Sequence, residues 1–481
     1  MLPFAEESAR CRLAQRAWAE RPIRDRLTVI REFRYRLVDD AERLTAAIAA
    51  DVARPPDEVI GTDFLPTAAA AKFLEVHAER ILRPRKVRGR PLWLLGSRDV
   101  VHRRPHGIVG LIGTWNYPLF LTAVPLLQAL AAGNGVLWKP SELAPRFAEA
   151  FHDLLGRSGF PADLVVRLPA TREAGPQLAE ADVDFLHFTG SDAVGRKLAA
   201  RLGERLVPST LELSGCDALV VLADADVRLA ARSAWYGATL NCGQTCMATR
   251  RAFVHRSVIE PFVEALKPLV EASGSVRLVT PGQVEQADRL LGEAVVRGCQ
   301  VLRSNRTPDA SAFGPAAILN APPDLALFRE ASFAPLVGIV AFDTAEELVR
   351  LHNACPLGLA AAIFTADLAA GRQVAGQLRA GAVVINDVIV PTAHPATPFG
   401  GRGASGWGVT QGEEGLLAMT VPQVVTVRKG TFRPHVDTFL ANDPAAGDIM
   451  NGLLCMTHGR TLGLRWTGLK RLIRGLRRSR S

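Results

Sequence analysis

The segment LNCGQTCMATRR (240–251) sets one cysteine, Cys246, among glycine and small polar neighbours. A cysteine attacks as its thiolate, and a free thiol of pKa ~8.5 is only slightly ionised at neutral pH. Small neighbours let the backbone approach a bound carbonyl, and the cysteine's own N–H can then donate to the oxyanion that forms. Upstream, TLELSGCDAL (210–219) ends an apolar segment with Glu212, flanked by Leu211, Leu213 and Gly215. A carboxylate in that setting is costly to bury without a partner, tends to a raised pKa and suits general-base work. In GTWNYPL (113–119) Asn116 follows an apolar run and offers a side-chain amide to an oxyanion. Taken singly, each has a plainer reading: a structural thiol in a turn, a surface-pointing strand-end Glu, a turn Asn.

Two further motifs suit a cofactor. WKPSE (138–142) places Lys139, Ser141 and Glu142 at the end of an apolar run, where a Lys and a Glu can hydrogen-bond ribose hydroxyls. FTGSDAVGRK (188–197) runs from strand into helix with Gly190, Ser191 and Gly195, and a helix N-terminus favours a pyrophosphate. It is not the usual G-x-G-x-x-G pattern. Cys242, four residues before Cys246, can resolve an oxidised nucleophile as a disulfide or simply fill a buried site. No Cys or His spacing suits a metal, so none is expected. His187, within FLHFTG, reads as structural.

Positioning such groups needs a layered scaffold. Residues 7–50 and 61–82 carry helical periodicity broken at ARPPDE. From Pro91 on, short apolar runs alternate with helix-like stretches: GIVGLIG (107–113), GVLWK (135–139), DLVVRL (163–168) and DFLHFTG (184–190). That alternation predicts a doubly wound, parallel α/β domain, and ALVVL, AFVHR, PLVGIVAF and AAAIFTA predict a second α/β series from about Asp217 to Val384. The charge-free stretch from Gly107 to Trp138 is long enough for a membrane span, but its Gly and Pro divide it into strand, loop, helix and strand.

The chain of 481 residues is 48% hydrophobic and 22% charged, a globular composition that excludes disordered, collagen-like and coiled-coil chains. Seven cysteines do not form a disulfide framework. With no uninterrupted apolar run near the N-terminus, a reducing cytosol is the expected compartment. The net charge of +9 suggests nucleic acid until it is divided: residues 451–481 hold eight basic residues and no acid, leaving the rest near neutral. No nucleic-acid partner is therefore expected.

Taken in order, these motifs resemble the aldehyde dehydrogenase superfamily over about Ala5 to Lys429. GTWNYPL and INDVIV…PFGGRGASGWG (385–408) look most like its class 3 and fatty aldehyde branch. The resemblance implies that Cys246 is the nucleophile, Glu212 the general base and Asn116 the oxyanion-hole amide. Trp115, Lys139, Ser141, Glu142, Gly190, Ser191, Gly195 and Leu213 match positions lining an NAD or NADP site, and Phe333 matches the family's retained Phe. It implies a Rossmann-like NAD(P)-binding domain (1–85 and 103–212) and an α/β catalytic domain (213–392). It also implies a small β bridging element (86–102 and 393–430) that pairs subunits into a homodimer. The implied reaction oxidises an apolar, medium- or long-chain aldehyde to the acid through a Cys246 thiohemiacetal and thioester.

The chain departs from the pattern in places. REASFAPL (329–336) puts Ala331 where the family has a Glu that grips the nicotinamide ribose, and Glu330 is expected to point elsewhere. Ser214-Gly215 replaces Gly-Gly, and the stretch between about Leu269 and Ala310 is short. Two alternatives stay open: an acylating or reductive relative, against which Glu212 argues, and a catalytically impaired, membrane-docked cofactor-binding scaffold. In the 431–481 extension, TLGLRWTGLKRLIRGLRR (461–478) spaces Leu462, Trp466, Leu469, Ile473 and Leu476 as one helical stripe amid Arg and Lys. This fits peripheral contact with an anionic membrane on its inner face, or a helix docked on protein, weakened by Gly463, Gly468 and Gly475.

Overall fold

The computed structural model describes residues 2–304, 312–430, 433, 436, 440 and 445–478. The chain divides into two units, Met1–Leu82 with Arg104–Val421, and Arg83–Arg103 with Pro422–Ser481.

The first unit opens with helices Ala5–Glu20, Ile23–Asp39 and Ala41–Val52, whose apolar stripes meet through Trp18, Ile30, Phe33, Leu44 and Ile48. The helical run stops at ARPPDE: Ala53 turns left-handed at φ 53°, and Pro55 lacks the N–H needed to continue the ladder. A short helix Pro56–Val59, a π-helical turn Ile60–Phe64 and helix Leu65–Leu82 follow, and the turn buries the Asp63 side chain.

The strand–helix alternation builds two sheets. The first has the strand order Gly406–Trp407, Ser209–Leu213, Phe185–Gly190, Ile108–Ile112, Gly135–Lys139, Val165–Arg167. Neighbours are parallel except Gly406–Trp407, which is antiparallel to Ser209–Leu213. The second has the order Gln300–Arg303, Ala316–Leu319, Leu336–Phe342, Thr249–His255, Asp217–Val221, Ala360–Phe364, Ala382–Ile385, parallel apart from Gln300–Arg303. This is the Rossmann-like α/β layer with a second α/β layer. Every residue of Ile108–Ile112, Gly135–Lys139, Asp217–Val221 and Ala360–Phe364 is buried, as parallel strands covered on both faces require. Fully burying one Val, Leu or Phe there contributes ~1.5–3 kcal/mol.

The charge-free stretch forms a strand, a loop and helix Phe120–Ala132, ended by Gly133 at φ 101°. A further strand, Gly135–Lys139, follows. Among the described residues no helix is long and apolar enough to cross a membrane. Residues 393–421, expected with the bridging element, lie in the first unit, where Gly406 pairs with Glu212.

A three-stranded sheet, ordered Arg85–Lys86, Ser97–Pro105, Thr420–Arg428, lies mostly in the second unit. That unit also holds two packed helices, Ala445–His458 and Leu462–Arg478. Two of the glycines expected to weaken the last helix are where the pair touches. A Cβ on Gly468 would lie 2.4 Å from the Met456 nitrogen, and one on Gly475 2.6 Å from Ile449 Cγ1. The helix-propensity cost at both positions is offset by close packing that no larger residue permits.

Candidate active site

Glu212 lies in Ser209–Leu213 with its side chain buried, not pointing to the surface. Its Oε1 accepts from Thr410 Oγ1 at 2.5 Å. Burial raises its pKa from 4.5 to about 7, while hydrogen bonds from Thr410 and Thr189 pull the other way. Thr410 returns to Glu212 through PFGGRGASGWG, whose Gly406 and Gly408 have φ 96° and 79°. A Cβ on Gly406 would lie 1.9 Å from the Leu211 carbonyl oxygen, so only glycine allows that strand to close on Glu212.

Cys246 sits in a turn just before strand Thr249–His255, half-buried. Burial pushes its thiol up to about 12, and the Asp217 and Glu212 charges add to the rise. The Cys246 carbonyl accepts from the Gly215 N–H at 3.1 Å, tying the turn to the chain just past Glu212. Beneath the turn, buried Arg250 donates to the carbonyls of Ala334 at 2.9 Å and Gly243 at 2.6 Å. Desolvation lowers the pKa of that guanidinium to about 10. All seven cysteines are free thiols. Cys242 takes a left-handed φ of 55° and is partly buried against an apolar cluster.

Asn116 is buried in the loop after Ile108–Ile112. Its Nδ2 donates to the Gln244 carbonyl at 3.0 Å, and its own carbonyl accepts from Asn241 Nδ2 at 2.9 Å. This reciprocal clasp joins the Asn116 loop to the Cys246 turn. A second support, missed in the sequence, lies under the same loop. Buried Arg54 and Asp63 pair at 2.5 Å, and Arg54 Nη1 also donates to the Asn116 carbonyl at 3.2 Å. Asp63 Oδ1 accepts from the Leu119 and Phe120 amides at 3.1 and 3.0 Å. Arg54 also stacks over the Tyr117 ring at 4.6 Å, and Tyr117 hydrogen-bonds Thr245 beside Cys246.

Two cavities meet here. One, about 830 Å³ counting the space at its open mouth, is lined largely by apolar side chains, among them Tyr117, Leu121, Val124, Tyr236, Met247 and Ile389. The other, about 370 Å³ on the same measure, brings together Asn116, Gly190, Glu212, Leu213, Cys246 and Phe333. Cys246 and Glu212 line both.

The other expected cofactor residues lie along the C-terminal edge of the first sheet, where ligands of such folds bind. Trp115 packs on Phe333 with ring centroids 5.9 Å apart. Lys139 Nζ pairs with Glu142 at 3.0 Å. Although burial opposes it, the backbone, Lys139 and Arg172 hold the Glu142 carboxyl below its usual range. Ser141 Oγ accepts from the Leu143 amide. Ser191 caps helix Asp192–Glu204, accepting from Val194. A Cβ on Gly195 would lie 2.4 Å from Leu213, so this glycine seats the helix start on the strand end. Such a cradle of backbone at a strand edge fits a dinucleotide. Glu330 pairs with Arg289, and Ala331 packs beside Cys216, Cys355 and Leu357. Neither supplies a carboxylate to the cavity.

The aldehyde dehydrogenase family profile matches residues 5–425. The chain belongs to the aldehyde dehydrogenase family. It is 31% identical to 4,4'-diapolycopene aldehyde oxidase of Methylomonas sp over 87% of this chain and 80% of that one. It is 30% identical, over 88% and 83%, to a Mycobacterium ulcerans protein provisionally named succinate-semialdehyde dehydrogenase [NADP(+)] 2. Mycobacterium tuberculosis aldehyde dehydrogenase complexed with NAD+ superposes with a TM-score of 0.83 at 27% identity, covering 89% of this chain and 90% of that one. These relatives are diverse rather than confined to the class 3 and fatty aldehyde branch. The enzyme is an NAD(P)-dependent aldehyde dehydrogenase, and its cofactor is NAD or NADP.

Proposed function

We propose that Cys246 is the nucleophile, Glu212 the base and Asn116 the oxyanion donor of aldehyde oxidation, and that the substrate is an apolar aldehyde of medium or long chain. The observation that carries this is the meeting of an apolar cavity and a cofactor-edge cavity at a wall of four shared residues, of which Cys246 and Glu212 are the reactive ones and Leu121 and Phe399 are apolar. With its pKa near 12 the resting thiol is neutral, so attack requires a proton acceptor, and Glu212 at about 7 is one. Sulfur bonds to the carbonyl carbon as the thiol proton leaves. The oxyanion accepts from the Cys246 N–H and from Asn116, whose amide uses one of its two N–H groups on Gln244. NAD or NADP, when bound, accepts the hydride that converts the thiohemiacetal to a thioester. Glu212 passes the thiol proton to solvent, as its pKa of about 7 allows, and then takes a proton from water as it adds to the thioester; collapse of the adduct releases the acid and returns the Cys246 thiolate.

The substrate class follows from the lining. The described apolar cavity has no Lys, Arg or His, and its one charged residue is Glu212. The carboxylate of succinate semialdehyde would find no cation among the described lining residues, whereas a hydrocarbon-like aldehyde, as in the diapolycopene relative's name, would meet a mostly apolar wall. We place the cofactor in 1–85 and 103–212 and the thiol chemistry in 213–392. The exposed Val424, Val425 and Val427 of Thr420–Arg428 suit a homodimer contact.

Initial rates across aldehydes of increasing length, with each cofactor, test the reading. kcat/KM should rise about fourfold per methylene until the cavity fills. A flat profile, or a preference for succinate semialdehyde, would overturn the substrate assignment. Cys246→Ala should cost at least ~10³-fold in turnover with cofactor binding kept. The impaired-scaffold alternative draws on Ala331 and would be favoured by cofactor binding without NAD(P)H production from any aldehyde.

A further inference from the structure

We propose that the C-terminal helical hairpin is a docking surface for an anionic lipid bilayer, lying flat in the headgroup layer. The inference does not depend on the catalytic reading, because it concerns residues of the second unit only.

Helix Leu462–Arg478 has 17 residues, about 25 Å, too short for a bilayer core of about 30 Å, so it can lie on a membrane but not cross one. The face it turns to helix Ala445–His458 is fixed by contact. Gly468 sits against Met456 and Gly475 against Ile449, each too close for a side chain. At 100° per residue, Leu462, Trp466, Leu469, Ile473 and Leu476 fall together about a third of a turn from that seam. The hairpin therefore does not use the apolar stripe for its own packing. Leu462 is 83% exposed and Trp466 59%, and Ile473 and Leu476 are exposed as well. Met450 and Leu454 of the first helix are also exposed.

The stripe has a charged border. Continuing around the same helix, Lys470, Arg474 and Arg477 follow the apolar positions, and the Lys470 ammonium lies 5.6 Å from the Trp466 ring centroid. From Ala445 to Arg478 there are seven Lys and Arg against one acid, Asp448, which pairs with Arg478 at 3.5 Å. A second copy of this hairpin would bring like charges together, which disfavours it as occupant. A nucleic acid would satisfy the cations and leave Leu462, Trp466 and Ile473 in water. Anionic headgroups above an acyl boundary match both parts at once: cations to the phosphates, Leu, Ile and Trp to the layer beneath.

Co-sedimentation of the full chain with vesicles of phosphatidylcholine, alone or mixed with phosphatidylglycerol, tests this. Binding should be at least about tenfold stronger to the anionic vesicles and weaken with salt. A charge variant (Lys470→Glu, Arg474→Glu, Arg477→Glu) and a stripe variant (Leu462→Ser, Trp466→Ser, Ile473→Ser) should each lose about tenfold or more. Helicity and turnover of a short soluble aldehyde should stay unchanged, since every altered position is exposed and outside the active site. Equal binding to both vesicle types would overturn the proposal, as would anionic binding that survives either variant, or tighter binding to duplex DNA than to the vesicles.

Discussion

Asp63 and Glu212 are both buried carboxylates near Cys246, yet their surroundings are opposite. Asp63 meets a guanidinium and two backbone amides, so its charge is matched where it stands. Glu212 meets hydroxyl groups and no cation, and burial lifts its pKa to about 7. Burial raises the Asp63 carboxyl too, but Arg54 and the two amides all favour its anion, so the pair holds structure. An unpaired one keeps a proton equilibrium near neutrality and is held there at a cost to stability. Within one site, the Arg54–Asp63 floor ties down the Asn116 loop, while Glu212, held only by hydroxyl groups among the described residues, has the proton equilibrium that its proposed role as base needs.

The comparison gives opposite signs for two conservative substitutions. Glu212→Gln should lower steady-state turnover ~10²–10⁴-fold and let the acyl thioester accumulate, detectable as a mass adduct on Cys246. It should also stabilise the fold at alkaline pH. The folded carboxyl titrates at about 7 against an ordinary 4.5, so the folded state binds more protons between those values. Stability therefore falls as pH rises through that window, and the loss is complete above about 7. Gln removes it, a gain of up to about 3 kcal/mol from the shift. Asp63→Asn should do the reverse, costing ~3–5 kcal/mol by leaving Arg54 buried without its anion. Turnover should fall with it only as far as the Asn116 loop loosens. Thermal unfolding of both variants above pH 7 checks the signs, and equal destabilisation by both would break the contrast.

The scaffold was legible because buried parallel strands are continuous apolar runs: GIVGLIG, GVLWK and PLVGIVAF each became a strand. Cys246, Glu212 and Asn116 each stand out chemically against their neighbours in the sequence, and the fold brings the three to one cavity. Arg54 and Asp63 do not stand out. An Arg and an Asp near helix ends look like surface residues, and the loop they support begins more than fifty positions downstream. Thr410 was missed for the same reason, lying 198 residues from Glu212. PFGGRGASGWG was legible only as a motif of the resemblance, and that its Gly406 closes on Leu211 beside Glu212 needed the fold. Gly468 and Gly475 carried a misleading signal, because helix propensity counts a glycine's cost and not the neighbour that requires it.

Thr410→Val gives the smallest expected effect and the finest discrimination. Valine keeps the shape of threonine and removes the donor to Glu212 Oε1. That hydrogen bond favours the charged carboxylate, so its loss should raise the Glu212 pKa further. A hydrogen bond to a charged group contributes ~1.5–3 kcal/mol, and 1.36 kcal/mol corresponds to one pH unit. With Glu212 as the base, the acid limb of kcat/KM should fall near pH 7 in the parent enzyme and move up by about one unit in the variant, with the high-pH plateau nearly preserved. Thr410→Ser, which restores the hydroxyl, should return the limb. A limb that stays in place in the Val variant would mean that some other group titrates in the rate, and Glu212 would join Asp63 as a structural carboxylate.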